Sequence, residues 1–351
     1  MNAAPLTREE RLGKLVLELL TGGTTRPELD RADWRLLTNL AGSHAVLARL
    51  ATRLGTLGVR APRDFVSAAG AERARAAAML DLLRHLQAAC ARHGIAWMVP
   101  KALQRYPDVG DDVDILVCSR RASIDGLVLE GLSATATPPT IAMRVAGSTE
   151  YTVAPGGAEG PRLLLDIHHG RVGSAGQHTG FADALARNGR AVTLAGTVFR
   201  VPSPEDQLVL QGLEKVSGRR RFHLCDVLQT IQVVQEPRLD WDYVLATVRA
   251  HGGWEGLSCY LRYVDGVHTR LLGRELLPAE PRRALALEGW GWGRPQLGAA
   301  GFQFPALRVT GRLFRRQLGR AVGAGNWDAA LRLSLWPLGM IAARLGRVVH
   351  A

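Results

Sequence analysis

Two carboxylates enter an apolar strand about one third of the way along this chain, in the segment DDVDILV at residues 111–117. Residues two apart on a strand point to the same face, so Asp112 and Asp114 project together, on the face opposite Val113. Two adjacent carboxylates repel each other and are costly to bury unless a cation lies between them. The segment is therefore either a solvated turn beside an ordinary strand or part of a cation site.

A third carboxylate lies on another predicted strand. Asp166 follows three leucines in RLLLDIHHG, residues 162–170. If that strand pairs with the first, three carboxylates meet, and the need for a cation is greater than with two. Mg²⁺ suits such a place because it binds few carboxylates together with phosphate oxygens. The alternative is that Asp166 only caps its strand; Asp108 and Asp111, which precede the first strand, are interpreted as turn residues.

Basic residues lie close to these carboxylates in the sequence. Lysine occurs only at Lys14, Lys101 and Lys215. Lys101, together with Arg105, is placed to bind triphosphate oxygens, although a solvated lysine at a strand end is the alternative. Lys215, with Asp226, is a weaker candidate in the cleft between the sheet and the following helices.

His168 shares a strand face with Asp166. We expect it to orient Asp166 or an acceptor substrate, or to make a structural hydrogen bond. The adjacent His169 points to the opposite face, so the two histidines do not easily serve one site. The basic segment SGRRRFH, residues 217–223, is predicted either to contact phosphate or to form a solvated loop.

Hydrophobic periodicity divides the chain into four parts. They are an N-terminal helical region (1–93), an α/β core (94–202), a helical bundle (203–275), and a linker followed by basic amphipathic helices (276–351). The predicted fold class is α+β, with a small mixed sheet as an α/β-type core between N-terminal helices and a C-terminal helical bundle.

Short signals place the elements within these parts. Thr7 and Glu10 form a capping box, and Ser203 with Pro204 begins the helix after the core. Strands are predicted over 95–101, 111–117, 140–147, 149–155, 162–170 and 191–202, and helices over 32–55, 62–94, 123–132 and 181–189. The strands over 140–147 and 149–155 are predicted to form a hairpin around Gly147 and Ser148.

The last segment, residues 306–351, carries eight arginines and one acidic residue, Asp328, among apolar residues. This pattern is typical of a membrane-surface helix, a nucleic-acid contact or a protein-docking arm. The alternative is an amphipathic helix that packs on the protein and leaves its arginines in solvent.

Composition sets wider bounds. The 351 residues are enough for a sizeable core, and 47% hydrophobic with 22% charged residues is ordinary for a soluble globular protein. The net charge of +12 attracts phosphate-bearing partners. The four cysteines lack metal-ligand spacing, there is no signal-peptide pattern, and no apolar stretch of about twenty residues occurs. We therefore expect a cytoplasmic protein with reduced thiols.

The order of these motifs resembles the polymerase-beta-like nucleotidyltransferase superfamily. The segment VPKALQRYPDVGDDVDILV (99–117) resembles one bacterial branch, the uncharacterised nucleotidyltransferases, which has lysine–glycine, Tyr-Pro and Gly-Asp-hydrophobic-Asp in this order. LLLDIHHG (163–170) resembles the Asp-hydrophobic-His strand of that branch, and the helical segments after residue 202 resemble its downstream half. The resemblance covers roughly residues 75–275.

The resemblance implies two-metal nucleotidyl transfer with Mg²⁺ or Mn²⁺ as cofactor and an NTP, such as ATP, as co-substrate. Asp112 and Asp114 would hold the metal against the triphosphate, and Asp166 would share the second ion and help deprotonate the acceptor hydroxyl. The expected reaction moves an NMP to a hydroxyl or phosphate of a small molecule or modified peptide and releases pyrophosphate. In the implied site, three residues are catalytic and bind the metal: Asp112, Asp114 and Asp166. The nucleotide would be bound by Lys101, Arg105 and Lys215, and the substrate would be contacted by His168.

Departures from the superfamily pattern define the alternative. Pro100-Lys101-Ala102 stands where the superfamily usually has a glycine pair, and Glu214-Lys215 stands where a histidine is usual. A catalytically inactive nucleotidyltransferase fold, kept as a binding or scaffold protein, is therefore the second hypothesis. A third is a basic nucleic-acid binder, but stacking aromatics are scarce near the basic segments, so a nucleic-acid partner is not expected.

Overall fold

The computed structural model describes residues 5–349 apart from 111, 119–123, 133, 156, 158–159, 217–220, 287–294 and 299–300, with backbone alone for 129–131, 306–307 and 340–349. Asp111 and the first four residues of the SGRRRFH segment lie outside the described residues.

Four helices precede the sheet within this part of the chain: α1 (Arg8–Leu20), α2 (Arg31–Ser43), α3 (Leu47–Thr56) and α4 (Arg63–Arg92). The capping box at α1 is confirmed. The Glu10 N–H donates to Thr7 Oγ1 at 3.1 Å, and the Thr7 N–H donates to Glu10 Oε2 at 2.9 Å.

The single helix predicted over 32–55 is wrong, because the chain breaks between α2 and α3. Ala45 has a φ of 49°, in the left-handed region. His44 is buried, accepts the Leu224 N–H at its Nδ1 at 2.9 Å, and places its Nε2 3.1 Å from the Gly298 carbonyl. Apolar residues continue at helical spacing through the break, so periodicity does not reveal it.

The central sheet contains β1 (Trp97–Met98), β2 (Asp112–Val117), β3 (Ala134–Ala136), β4 (Ser148–Val153) and β5 (Leu163–His169). Its order is β1-β2-β5-β4-β3; β2 and β5 are parallel and the other pairs are antiparallel. The predicted α+β class with a small mixed sheet is confirmed. One face of the sheet, including Val113 and Ile115, packs in a buried cluster with Met79 and Leu83 of α4.

Three short helices lie between these strands: α5 (Ala102–Arg105), α6 (Asp125–Gly131) and α7 (Ile141–Ala146). The predicted hairpin around Gly147 is therefore wrong, because its first arm is α7. The Met143 N–H donates to Thr140 Oγ1 at 3.2 Å, and Gly147 ends the helix with a φ of 71°. These two caps outweigh the β-branched residues that favoured a strand.

The segment after β5 forms α8 (Thr179–Asn188), β6 (Arg190–Leu194) and β7 (Thr197–Val201). The single strand predicted over 191–202 is wrong. It folds back at Ala195 and Gly196, both with positive φ, into a separate two-stranded sheet. A two-residue hairpin turn needs this backbone conformation, which alanine adopts less readily than glycine or asparagine.

The helical half contains α9 (Pro204–Glu214), β8 (Arg221–Phe222), α10 (Leu224–Val234), α11 (Trp241–Ala250) and α12 (Trp254–Leu272). The predicted start of α9 is confirmed, because the Asp206 N–H donates to Ser203 Oγ at 3.1 Å. These helices share one buried core with α1, α2 and α3.

The C-terminal part contains α13 (Ala279–Ala284), β9 (Gln296–Gly298), β10 (Gly301–Gln303), α14 (Ala306–Gly323) and α15 (Trp327–Val349). The expected linker is partly wrong, because β9 and β10 join β8 in a three-stranded sheet. The α15 helix packs on α7, and Arg171 holds Asp328 at 2.8 Å. Within the described residues, no helix combines the length and apolar character needed to cross a membrane. The four-part division of the chain remains a prediction.

Candidate active site

The face of β2 that carries Asp112 and Asp114 points toward the helical half. Leu116, on the same face, lies in the buried core of the helices, whereas Val113 lies in the core on the α4 side. Asp114 is only 3% exposed, and Asp112 is partly exposed at the start of the strand. The strand therefore sends one carboxylate into the junction between sheet and helices and one to its rim.

Parallel pairing places the third carboxylate next to Asp114. In the register of β2 and β5, Asp114 is the partner of Asp166, and Leu116 is the partner of His168. Neighbours in register share a face of the sheet, so the interpretation of Asp166 as a mere strand cap does not account for its position.

Asp114 and Asp166 form an acidic row across the sheet, and sequence reasoning missed a third acidic residue in this row. Glu150 of β4 is the register partner of Asp166 on its other side. The segment around Glu150 was predicted as the second arm of a hairpin with 140–147, which hid its pairing with β5. The alternation TEYTV was the available signal, because it places Glu150 and Thr152 on one face.

Two cationic side chains contact these carboxylates. Lys101 Nζ lies 3.3 Å from Asp114 Oδ1 and 2.6 Å from Glu214 Oε2, at the end of α9. His168 Nε2 lies 3.4 Å from Asp114 Oδ1 and 3.4 Å from Asp166 Oδ2. Lys101 and His168 thus neutralise a buried acidic group, and the contact of Lys101 with Glu214 ties the sheet to the helical half.

The titration of this group follows from burial and charge. Burial disfavours a charged His168, but the attraction of Asp166 and the hydrogen bond to Asp114 outweigh it and raise the pKa of His168 to about 9. Burial also raises the pKa of Asp166, although the nearby His168 opposes the shift. Asp166 Oδ1 is buried and accepts no hydrogen bond from the described residues. A buried carboxylate oxygen of this kind is poorly satisfied by protein alone.

Arg105 is near Asp226 of α10 and is also attracted electrostatically by Asp114 and Asp112 of β2. Its Nη2 is 3.8 Å from Asp226 Oδ1, and the side chain is buried. Burial lowers the pKa of Arg105, but surrounding groups, first Cys225 and then Asp226, raise it overall. Gly110 allows this placement, because a Cβ there would lie 2.4 Å from Arg105 Nη1.

Lys215 is not on the surface of the candidate site. It is 3% exposed, and its Nζ lies 2.5 Å from Asp226 Oδ1. Asp226 also accepts the His223 N–H at 2.9 Å. Burial would raise the pKa of Asp226, but Lys215 and His223 hold it well below its usual range. Lys215 therefore forms a buried ion pair with Asp226, the same carboxylate that Arg105 approaches.

The turn before β2 is held by the N-terminal helices. Asp108, interpreted from sequence as a turn residue, is buried and accepts the Ala48 N–H of α3 at 2.6 Å and Arg49 Nε at 2.7 Å. The Val109 N–H donates to Glu72 of α4 at 2.6 Å. The N-terminal helices, which carry no candidate site residue, thus fix the backbone just before Asp112.

Two side-chain groups among the described residues have metal-ligand composition. Asp114, Asp166 and His168 each offer an atom within 4.8 Å of the others, as do His223, Cys225 and Asp226. The second group is opposed by the two cations, Lys215 and Arg105, beside Asp226. Lys101 and His168 contact the first group as well, but its Asp166 Oδ1 is unsatisfied, and carboxylate oxygens are the ligands that a hard divalent cation prefers.

The mixed sheet thus presents carboxylates from two adjacent strands toward a helical half, with a lysine beside them, and these carboxylates form a candidate metal-binding group. The model of the family described as uncharacterised nucleotidyltransferase matches residues 30–266, well over half of the chain. The protein belongs to this family, as the resemblance predicted. No curated protein matches the sequence.

Proposed function

We propose that the protein is a Mg²⁺-dependent nucleotidyltransferase that moves an NMP from an NTP to a hydroxyl or phosphate of a small molecule or modified peptide. Pyrophosphate is the second product. The observation that carries the proposal is the pairing of Asp114 with Asp166 across parallel strands, with His168 within 3.4 Å of both carboxylates. Membership of a nucleotidyltransferase family supports the same chemistry.

Asp112, Asp114 and Asp166 are the residues proposed to hold Mg²⁺ or Mn²⁺. A bound divalent ion would neutralise triphosphate charge and polarise the α-phosphate. The orphaned Asp166 Oδ1 supports this assignment, since an unsatisfied buried oxygen is disfavoured without a cation. Asp112 is partly exposed at the start of β2 and is proposed to meet the metal-bound nucleotide there.

Lys101 is proposed to bind triphosphate oxygens. Its ammonium already lies between Asp114 and Glu214, and the 2.6 Å contact with Glu214 holds the side chain in place. Arg105 extends this positive region toward Asp226. Lys215, paired with Asp226, contributes by fixing the position of Arg105 rather than by touching phosphate.

Asp166 is proposed to accept the proton of the acceptor hydroxyl. Burial raises its pKa, which makes it a better base than an ordinary aspartate at neutral pH. His168 Nε2 is hydrogen-bonded to Asp114 and lies 3.4 Å from Asp166 Oδ2, and it is proposed to orient the carboxylate that takes the proton.

A transfer assay tests this function. Each α-phosphate-labelled NTP is incubated with the protein, Mg²⁺ and a cell extract that supplies acceptors, and label incorporation is followed for the protein, Asp114→Asn and Asp166→Asn. Asp81→Asn is the matched control, because this side chain is 63% exposed on α4. We expect incorporation that needs Mg²⁺, survives in the control and is lost in both site variants. Undiminished incorporation in Asp114→Asn and Asp166→Asn would overturn the proposal.

A scaffold protein with an inactive nucleotidyltransferase fold is the second candidate. The observation that favours it is the internal neutralisation of the acidic group by Lys101 and His168. Ala102, only 5% exposed, also stands at the turn where the superfamily has glycine. Calorimetric titration with Mg²⁺ and an NTP separates the two: binding supports the enzyme, and absence of binding supports the scaffold.

A further inference from the structure

The α15 helix exposes a row of large apolar side chains. Trp327, Leu331, Leu335 and Leu338 are 68%, 61%, 40% and 60% exposed. Their spacing of three and four residues places them on one face of the helix, along roughly 16 Å of its length. We call these four residues the apolar stripe.

The apolar stripe is not the packing face of the helix. Ala329, Ala330 and Leu333 are buried and pack in a cluster with Val145 and Ala175. The helix is therefore already seated on the protein by a different face. Large exposed apolar residues are otherwise scattered among the described residues, so their concentration here marks an interaction surface.

Positive charge accompanies the apolar stripe. Arg308, Arg312 and Arg315 are exposed on α14, which packs beside α15, and they share a helix face with the exposed Val322. Asp328, the one acidic residue of 306–351, is held by Arg171 and Arg332. The helix beside α15 thus has a basic exposed face, and the acidic residue of α15 is paired with two arginines.

We propose that α14 and α15 bind the surface of an anionic membrane, with the apolar stripe inserted at the level of the headgroups. A tryptophan at one end, aliphatic side chains along one face and flanking arginines are the composition that such a surface selects. A second copy of the chain suits the stripe less well, because residues 306–351 carry eight arginines and one acidic residue, and two such segments repel each other. The inference is independent of the nucleotidyl-transfer chemistry.

Vesicle co-sedimentation of the full chain tests this inference. The vesicles are phosphatidylcholine with and without phosphatidylglycerol, at low and high salt. We expect sedimentation with the anionic vesicles, weakened by salt, and a partition coefficient about tenfold lower for Leu331→Ser/Leu335→Ser and for Arg312→Gln/Arg315→Gln. Circular dichroism and thermal melting check that each variant is folded.

The matched control is Val66→Ser/Val198→Ser, which removes two apolar residues that are 54% and 55% exposed elsewhere. It should sediment like the unchanged protein. Failure of the unchanged protein to bind anionic vesicles would overturn the proposal, as would binding that survives Leu331→Ser/Leu335→Ser. A dimer in light scattering that this variant dissociates, without vesicle binding, would instead identify the stripe as a contact between copies.

Discussion

Asp114 on β2 and Asp166 on β5 occupy the same register position of two parallel strands. Their separation in sequence is bridged by α6, β3, α7 and β4, so the pairing is made by topology rather than by a local motif. His168 contacts both carboxylates, and Lys101 contacts the first. The four side chains therefore act as one charged group, and changes to any of them should be felt by the others.

Asp166→Asn should abolish transfer without unfolding the protein. The substitution removes a buried charge whose Oδ1 lacks a hydrogen-bond partner among the described residues, and it keeps the side-chain shape. We expect transfer to fall roughly 10²-fold or more, and the free energy of unfolding to stay within about 1 kcal/mol or to rise. Urea denaturation beside the labelled-NTP assay measures both. A parallel loss of stability and activity would show that Asp166 is structural.

Lys215→Met should destabilise the protein because it leaves Asp226 buried without its nearest cation. Both side chains are almost fully buried and lie 2.5 Å apart. Breaking such a pair costs roughly 3–5 kcal/mol, measured as the free energy of unfolding in urea.

The control for this prediction is Lys14→Met, which breaks an exposed pair with Glu18 on α1 and should cost about 0.5 kcal/mol. If Lys215→Met and Lys14→Met are equally stable and only Lys215→Met raises the KM for NTP, then Lys215 binds the nucleotide directly.

Gly110→Ala should displace Arg105. A methyl group at residue 110 would lie 2.4 Å from Arg105 Nη1, and the buried guanidinium has little room to move. We expect kcat/KM for the NTP to fall roughly 10–100-fold, since small displacements of a binding group are costly. Gly126→Ala, where a Cβ meets nothing within 4 Å, is the control. Unchanged kinetics in Gly110→Ala would show that Arg105 does not take part in nucleotide binding.

Acid should destabilise the protein through its buried histidines. Burial lowers the pKa of His44 from 6.5 to about 4. Its stabilising contribution is therefore complete above about pH 6.5 and is lost as the pH falls toward 4, a change of roughly 3 kcal/mol. Urea denaturation across this range should show a shallower pH slope for His44→Gln.

A residual slope should remain in that variant, because burial also lowers the pKa of His178, to about 3. The exposed His93 supplies the control, since His93→Gln should keep the full slope. A slope that His44→Gln leaves unaltered would contradict the role assigned to His44.

The local sequence pattern was sufficient to predict the strands that carry the central residues of the site. An apolar run around Asp114 and a second around Asp166 predicted two strands, and the proposed carboxylate cluster was conditional on their pairing, which the structure shows. Capping residues likewise predicted α1 and α9. These inferences need only the alternation of a strand or the first turn of a helix, and residues that are close in sequence determine both.

What was missed depends on contacts between distant residues. The break at His44 is stabilised by Leu224 and Gly298. The buried state of Lys215 follows from the packing of α9 on α10. Glu150 joins the acidic row only because β4 pairs with β5 rather than with a neighbouring arm. Sequence spacing carries no information about these pairings.

Asp114 and Asp166 are proposed to bind a metal-bound nucleotide together. Isothermal titration calorimetry of each NTP in the presence and absence of Mg²⁺ measures this most directly, on the unchanged protein, Asp114→Asn, Asp166→Asn and the exposed control Asp81→Asn. We expect binding that requires Mg²⁺, is retained by Asp81→Asn and is lost in both site variants. Nucleotide binding of equal affinity in Asp114→Asn and Asp166→Asn, or no binding by the unchanged protein, would contradict it.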